Sequence, residues 1–168
     1  DELRNVAVGT CVVYGENKTT VGGGETAVGF ENIILKKGYK GIKEEAEAKL
    51  AELDKNDIEN FDKMQVYRSM ILSCEAMKIQ SDRYADLAEK MAAEETDETR
   101  KQELLTIAES CRRVPWEPPR TFREAVQAIN LVEVALYCDE ISSGYNIGRF
   151  DQYLYPYYKR DKEAGILT

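Results

Sequence analysis

The chain contains no histidine anywhere in its 168 residues. It therefore has no Ser-His or Cys-His nucleophile pair of its own and no imidazole with which to bind a metal ion. Its few cysteines are widely spaced and include no CxxC pair, which indicates neither a zinc site nor a dithiol redox motif. They are Cys11, Cys74, Cys111 and Cys138. The sequence thus predicts no metal site, and we expect Cys74 and Cys111, on apolar helix faces, to be small buried hydrophobes.

Long apolar runs and an excess of basic residues are also missing. No apolar run approaches the roughly 20 residues that a membrane-spanning helix needs. The N-terminus lacks the basic-then-apolar pattern of a signal peptide. The net charge is −8, and lysines and arginines alternate with acidic residues along the chain. This disfavours binding to phosphate backbones. We therefore expect a cytoplasmic protein with no membrane and no nucleic-acid partner.

Glycine, valine and threonine dominate the first part of the chain, and the pattern becomes helical after Gly38. Residues 5–35 contain short β-branched runs broken by glycines (VAVGTCVVYG, TTVGGGETAVGF), which predict extended segments, loops or short strands. From residue 38 to 168, apolar residues recur mainly at helical spacing. We predict one mostly α-helical domain with a short extended or β N-terminal part. Its helices are expected at about 42–53, 57–94, 97–112, 121–137 and 150–164.

Two of these predicted helices contain a position at which the helix could kink, bend or break. The helix over 57–94 exceeds the usual globular length, so it either crosses a large body or kinks near the polar Gln80-Ser81-Asp82. Tyr84, Leu87, Ala88 and Met91 are expected to continue its buried stripe. The last helix is expected to break or bend at Pro156.

A proline-rich connector, VPWEPPR, covers residues 114–120 and separates two of the helices. Its three prolines forbid regular structure. Thr121 and Glu124 have the spacing of a capping box, in which each side chain accepts a hydrogen bond from a backbone N–H at the helix start. We therefore predict that a new helix begins at Thr121.

Four phrases, in order, resemble segments of one enzyme family. They are GFENIILKKGYKGI, DRYADLAEKMAAEETDETRKQELLTIAESCRRVP, TFREAVQAINLV and GRFDQYLYPYYKRDKEAGILT. Together they resemble the pyruvate formate-lyase-like domain of the glycyl radical enzymes, from about Gly22 to Thr168. The RFDQYLYPYY phrase resembles the dehydratase and lyase branch more than pyruvate formate-lyase itself.

The resemblance implies a fold, a chemistry and a set of partners. The fold would be a fragment of the family's ten-stranded α/β barrel, from the part before the catalytic cysteine. The chain has neither the GCxE cysteine motif nor the RVxGY glycine motif, so the resemblance assigns it no catalytic residue and predicts an inactive isolated chain. The parent would be an anaerobic, cytoplasmic lyase, dehydratase or formate acetyltransferase-like enzyme. A radical S-adenosylmethionine activase would install its glycyl radical, and the full-length protein would be a homodimer.

The glycine-rich segment Gly22-Gly23-Gly24-Glu25 is a candidate substrate-binding loop. The resemblance matches Glu25 to a substrate-contacting position that often carries histidine in the form GH. A glutamate there disfavours a directly bound carboxylate substrate and favours a hydroxyl or a cationic group. The alternative is a loop glutamate that faces only water.

The SSGYNI segment before Gly148 is a second candidate loop. The resemblance matches it to a loop, often GHS, that touches substrate hydroxyls, so Ser143 and Asn146 are candidate substrate-binding residues. The alternative is a turn that caps the preceding helix.

A non-catalytic helical module that binds partner proteins through an aromatic face is the alternative reading of the whole chain. The chain begins at Asp1 rather than Met, and Thr168 falls where the resembled family continues. Both observations favour a fragment, whose main partner would be the remainder of the same enzyme. Such a fragment is expected to expose apolar surface and to self-associate when made alone.

Overall fold

The computed structural model describes residues 26–27, 29–139 and 145–167, with only the backbone at 26, 27, 139 and 145. The described chain is mostly helical, as predicted. Two short strands are β1 (Thr26–Ala27) and β2 (Tyr145–Asn146). Five α-helices are α1 (Leu35–Glu52), α2 (Phe61–Glu94), α3 (Glu98–Arg113), α4 (Phe122–Asp139) and α5 (Phe150–Glu163).

The N-terminal part differs from the predicted extended segment over 5–35. Residues 5–25 lie outside the described residues, and Thr26–Ala27 is the short strand. Phe30–Ile34 is a π-helix that runs directly into α1, so the prediction of extended structure there was wrong. Phe30, Ile34 and Leu35 are buried in the main core, and helical spacing places the three on one side of the chain.

Gly38 lets α1 pack against the proline-rich connector. Its φ of 64° and ψ of 171° interrupt the helix, and the helical conformation resumes at the next residue. The N–H groups of Tyr39 and Lys40 then donate to the carbonyls of Pro115 and Trp116, at 3.0 and 2.9 Å. The connector is therefore bound to α1 by backbone hydrogen bonds.

The helices α2 and α3 form an antiparallel hairpin with small residues at its interface. The small buried residues include Ala85, Ala88 and Ala92 on α2 and Ala108 and Cys111 on α3. The α2 helix continues without a break past Ser81, which is fully buried and whose hydroxyl donates to the Lys78 carbonyl at 3.0 Å. The sequence-based alternative of a kink at this point is not realised.

Arg112 holds the two helices of this hairpin together. Its guanidinium donates to Glu89 Oε2 at 2.9 Å and also hydrogen-bonds Asp86. Asp82 Oδ1 lies 3.5 Å from the same group. Asp97 begins α3 by accepting from the N–H of Thr99 at 2.8 Å, as expected of an N-cap aspartate.

The helices α4 and α5 complete the main core. Ala125, Ile129 and Val132 on α4 pack in one cluster with Tyr153 and Leu154 on α5. The α5 helix runs through Pro156 without interruption, so of the predicted break or bend the break was wrong. No helix in the part of the chain that the structure describes is long and apolar enough to cross a membrane.

The start of α4 differs in one respect from the predicted capping box. Thr121 Oγ1 accepts from the Glu124 N–H at 3.1 Å, as predicted. The Glu124 carboxylate accepts instead from the N–H of Arg120, at 2.5 Å, and from its guanidinium, at 2.7 Å. The N–H of Phe122, two residues further on, donates to Asp161 Oδ2 on α5 at 2.7 Å. A carboxylate from a distant helix therefore completes the cap.

Candidate functional site

The two predicted substrate loops lead into strands that pair with each other. The strands β1 and β2 are parallel, with Thr26 opposite Tyr145 and Ala27 opposite Asn146. Glu25 and Ser143 lie outside the described residues, one and two positions before these strands in the sequence. Their proposed substrate-binding role stays a prediction. Asn146 lies within β2, and its geometry is described.

Asn146 is exposed, and its side chain bonds the turn that follows it. Its Oδ1 accepts a hydrogen bond from the Gly148 N–H at 2.7 Å, which fixes the oxygen end of the amide because a backbone N–H can only donate. Gly148 has a φ of 71°, in the left-handed region that favours glycine. The amide nitrogen of Asn146 makes no hydrogen bond to another residue of the described chain.

Tyr153 ties this turn to the core. Its hydroxyl donates to the carbonyl of Ile147, the residue directly after β2, at 2.6 Å. Its ring lies in the main core with Phe30 and Leu154. Burial, with the negative charges of Glu133 and Glu31, raises the pKa of Tyr153, so the hydroxyl keeps the proton that it donates.

Glu133 is a partly buried carboxyl group beside Tyr153. Its Oε1 is inaccessible to solvent and has no hydrogen-bond partner among the described residues. Burial raises the pKa of Glu133 because it disfavours the charged form. The folded state therefore holds this proton more tightly than the unfolded state does. Stability from Glu133 is present below its unfolded pKa and is lost as the pH rises through the folded pKa.

We predict that Glu133→Gln stabilises the chain at pH 8 by roughly 1 kcal/mol or less, because the amide cannot ionise and so avoids the desolvation cost of the carboxylate. Thermal unfolding should show a gain that shrinks as the pH is lowered towards 5. Glu94→Gln, an exposed position on α2, is the matched control. A gain that is the same at both pH values would contradict the role of ionisation.

The described cysteines are not arranged as nucleophiles or ligands. Cys74 and Cys111 are buried as expected, and burial raises the pKa of both thiols, which disfavours the reactive thiolate. Cys138 is exposed near the end of α4. Among the described residues, no three Cys, Asp or Glu side chains are grouped so as to hold a metal ion.

The family model described as pyruvate formate lyase-like matches residues 2–168 of this chain. The chain belongs to the glycyl radical enzyme family. The resemblance inferred from the four sequence phrases is therefore confirmed.

Curated members of the glycyl radical enzyme family are similar over most of the chain. Trans-4-hydroxy-L-proline dehydratase of Clostridioides difficile is 42% identical over 146 residues, which cover 86% of this chain and 18% of that protein. Isethionate sulfite-lyase of Bilophila wadsworthia is 42% identical over 139 residues, which cover 81% of this chain and 17% of that protein. These relatives are dehydratases and lyases that act on small polar compounds. The chain spans about a fifth of their length.

Solved glycyl radical enzyme structures share the fold of the chain. A glycyl radical enzyme from Archaeoglobus fulgidus superposes with a TM-score of 0.81 at 38% identity, over 86% of this chain and 18% of that one. The substrate-bound hydroxyproline dehydratase of C. difficile gives a TM-score of 0.79 at 41% identity, over the same shares. The described helices therefore have the arrangement found in part of these larger enzymes.

Proposed function

We propose that the chain is the substrate-loop part of a glycyl radical dehydratase or lyase that acts on a small polar substrate. The observation that carries this proposal is the pairing of β1 with β2, which brings together the two segments that lead from the predicted loops. The similarity to dehydratases and lyases supports the reaction class.

The chain contributes binding rather than radical chemistry. In the parent enzyme, a glycyl radical would supply a thiyl radical that abstracts a hydrogen atom from the substrate. This chain has neither motif for those radicals, and its described cysteines are outside that context. We infer that the isolated chain is inactive. An activase of the radical S-adenosylmethionine class and a second copy of the full-length protein would be its partners, in the cytoplasm of anaerobic cells.

Three residues are proposed to bind substrate: Glu25, Ser143 and Asn146. Glu25 would accept a hydrogen bond from a substrate hydroxyl or hold a cationic group, and its charge disfavours a substrate carboxylate beside it. Ser143 and the amide nitrogen of Asn146 would bond further hydroxyl oxygens. A neutral polyol suits this set better than an amino acid does.

The test uses the complete product of the encoding gene, activated anaerobically by its cognate activase. Turnover is measured with glycerol, 1,2-propanediol, trans-4-hydroxy-L-proline and isethionate, and the radical is followed by electron paramagnetic resonance. We expect a glycyl radical signal and faster turnover of the two polyols. If no radical forms and no compound is consumed, the helical interaction module becomes the better explanation.

Exposed apolar side chains support the remainder of the enzyme as a partner. Ile58, Leu72 and Leu87 are 84%, 64% and 52% exposed, and further apolar residues are exposed along α2 and α5. Apolar surface of this extent usually marks an interface. We predict that the chain alone self-associates, with an apparent mass in light scattering that rises with concentration. A concentration-independent monomer would contradict this.

A further inference from the structure

Tyr153 connects the buried core to the strand that carries Asn146. On one side its ring packs with Phe30 and Leu154, and only 9% of the residue is exposed. On the other side its hydroxyl donates to the Ile147 carbonyl at 2.6 Å. The peptide unit between Ile147 and Gly148, just beyond β2, is thereby fixed to a side chain that is itself fixed by packing.

The Tyr153 hydroxyl donates to a single acceptor. A phenol has a single hydrogen, and here it goes to the Ile147 carbonyl. Glu31 and Glu133 lie near the ring as negative charges, and neither takes that hydrogen in a hydrogen bond. The hydroxyl acts through the backbone and does not reach Asn146 directly.

The backbone at Asn146 determines where its amide points. Asn146 is held in register opposite Ala27, and its Oδ1 is turned back onto the Gly148 N–H at 2.7 Å. Loss of the anchor at Ile147 would free the short turn from Asn146 to Gly148, because the pairing of two residues with two is marginal on its own.

We propose that Tyr153 is a positioning residue for substrate: its hydroxyl fixes the Ile147–Gly148 peptide, whose N–H donates to Asn146 Oδ1, and thereby aims the amide nitrogen of Asn146 at a substrate oxygen. This inference rests on the proposed function of Asn146. Tyr153, on α5, would thus join the residues that determine substrate selectivity.

The test compares Tyr153→Phe with Tyr155→Phe in the complete, activated gene product. Tyr155 is on the same helix, is 56% exposed and makes no hydrogen bond to another described residue, so it is the matched control. With glycerol and 1,2-propanediol, we expect Tyr153→Phe to lower kcat/KM about fivefold to tenfold, mainly through KM, as the loss of one positioning hydrogen bond implies. The control should stay within about twofold, and both variants should carry the wild-type radical content.

Hydrogen exchange separates this role from the alternatives. The Gly148 amide, which bonds Asn146, should exchange at least about threefold faster in Tyr153→Phe and at the wild-type rate in the control. Faster exchange with unchanged kcat/KM would make Tyr153 structural only, and lower kcat/KM with unchanged exchange would place it in direct contact with substrate; either result overturns the proposal. A wild type that consumes neither polyol contradicts the proposed substrate class. Exchange at Gly148 then still decides whether Tyr153 anchors the turn.

Discussion

Gly38→Ala should lower the free energy of unfolding by about 3–4 kcal/mol, the sum of the strain of a positive-φ, extended-ψ backbone that essentially only glycine adopts and an overpacking penalty. The φ of Gly38 is 64°, where an L side chain is strained. An added Cβ would also lie 2.3 Å from the Trp116 carbonyl oxygen and 2.9 Å from the Glu117 Cα. Both are backbone atoms of the connector, so no flexible side chain can move aside. Relief of the clash would break the hydrogen bonds from Tyr39 and Lys40.

Gly165→Ala separates the two causes. Gly165 has a φ of 71°, but an added Cβ there meets nothing within 4 Å. Its cost should be the backbone penalty alone, about 1 kcal/mol. Urea unfolding of both variants at one dilute protein concentration gives the comparison. Equal costs for the two variants would show that the connector moves away freely and that its contact with α1 is weak.

Glu124→Gln is the second large effect, with an expected loss of about 2–3 kcal/mol from leaving a buried charge network incomplete. Glu124 is only 5% exposed. It accepts from the backbone and the side chain of Arg120, and Arg113 Nε lies 3.5 Å away. Burial by itself would raise the pKa of Glu124, but its hydrogen bonds with Arg120 and the charges of Arg120 and Arg113 lower it overall.

The pH dependence gives this prediction a second measurement. Because the pKa of Glu124 is lower in the folded state, its stabilisation is present above the unfolded value of about 4.3 and is lost as the pH falls through the folded value. Unfolding at pH 8 should show the full difference between wild type and Glu124→Gln. The control is Glu117→Gln, which removes the more exposed ion pair with Arg113. It should cost less than about 1 kcal/mol. Equal losses would contradict a special role for burial.

Helical periodicity predicted the helices well where large apolar residues face the core. On α3, Cys111 is buried as predicted, and Leu104 and Ala108 are buried at helical spacing from it. In the second half of α2 the predicted buried stripe was right for Ala88 but wrong for Tyr84, Leu87 and Met91, which are exposed. Ala85 and Ala92 are buried there instead. The small side chains face α3 there, so the larger ones on the neighbouring face are left outside. Choosing the buried face by the largest apolar side chains therefore gave the wrong face of the helix.

Tertiary contacts explain the other differences between the sequence-based predictions and the structure. The capping spacing at Thr121 predicted where α4 begins, but not that Arg120 would take the Glu124 carboxylate. The sequence shows a glycine at position 38 but not why a larger residue is excluded there. The reason is the close approach of the connector, which lies nearly eighty residues later in the chain. At the candidate site, sequence indicated Asn146, whereas nothing in the local pattern showed that Tyr153 would bond Ile147. Such contacts depend on how distant elements pack.

Asp161 limits where this chain can be divided. Its buried carboxylate, 2% exposed, accepts the Phe122 N–H and so forms part of the first turn of α4. A truncated version that stops between α4 and α5 would remove this acceptor and leave that amide without its partner. Split-protein designs or shortened expression boundaries should therefore keep α4 and α5 on one polypeptide.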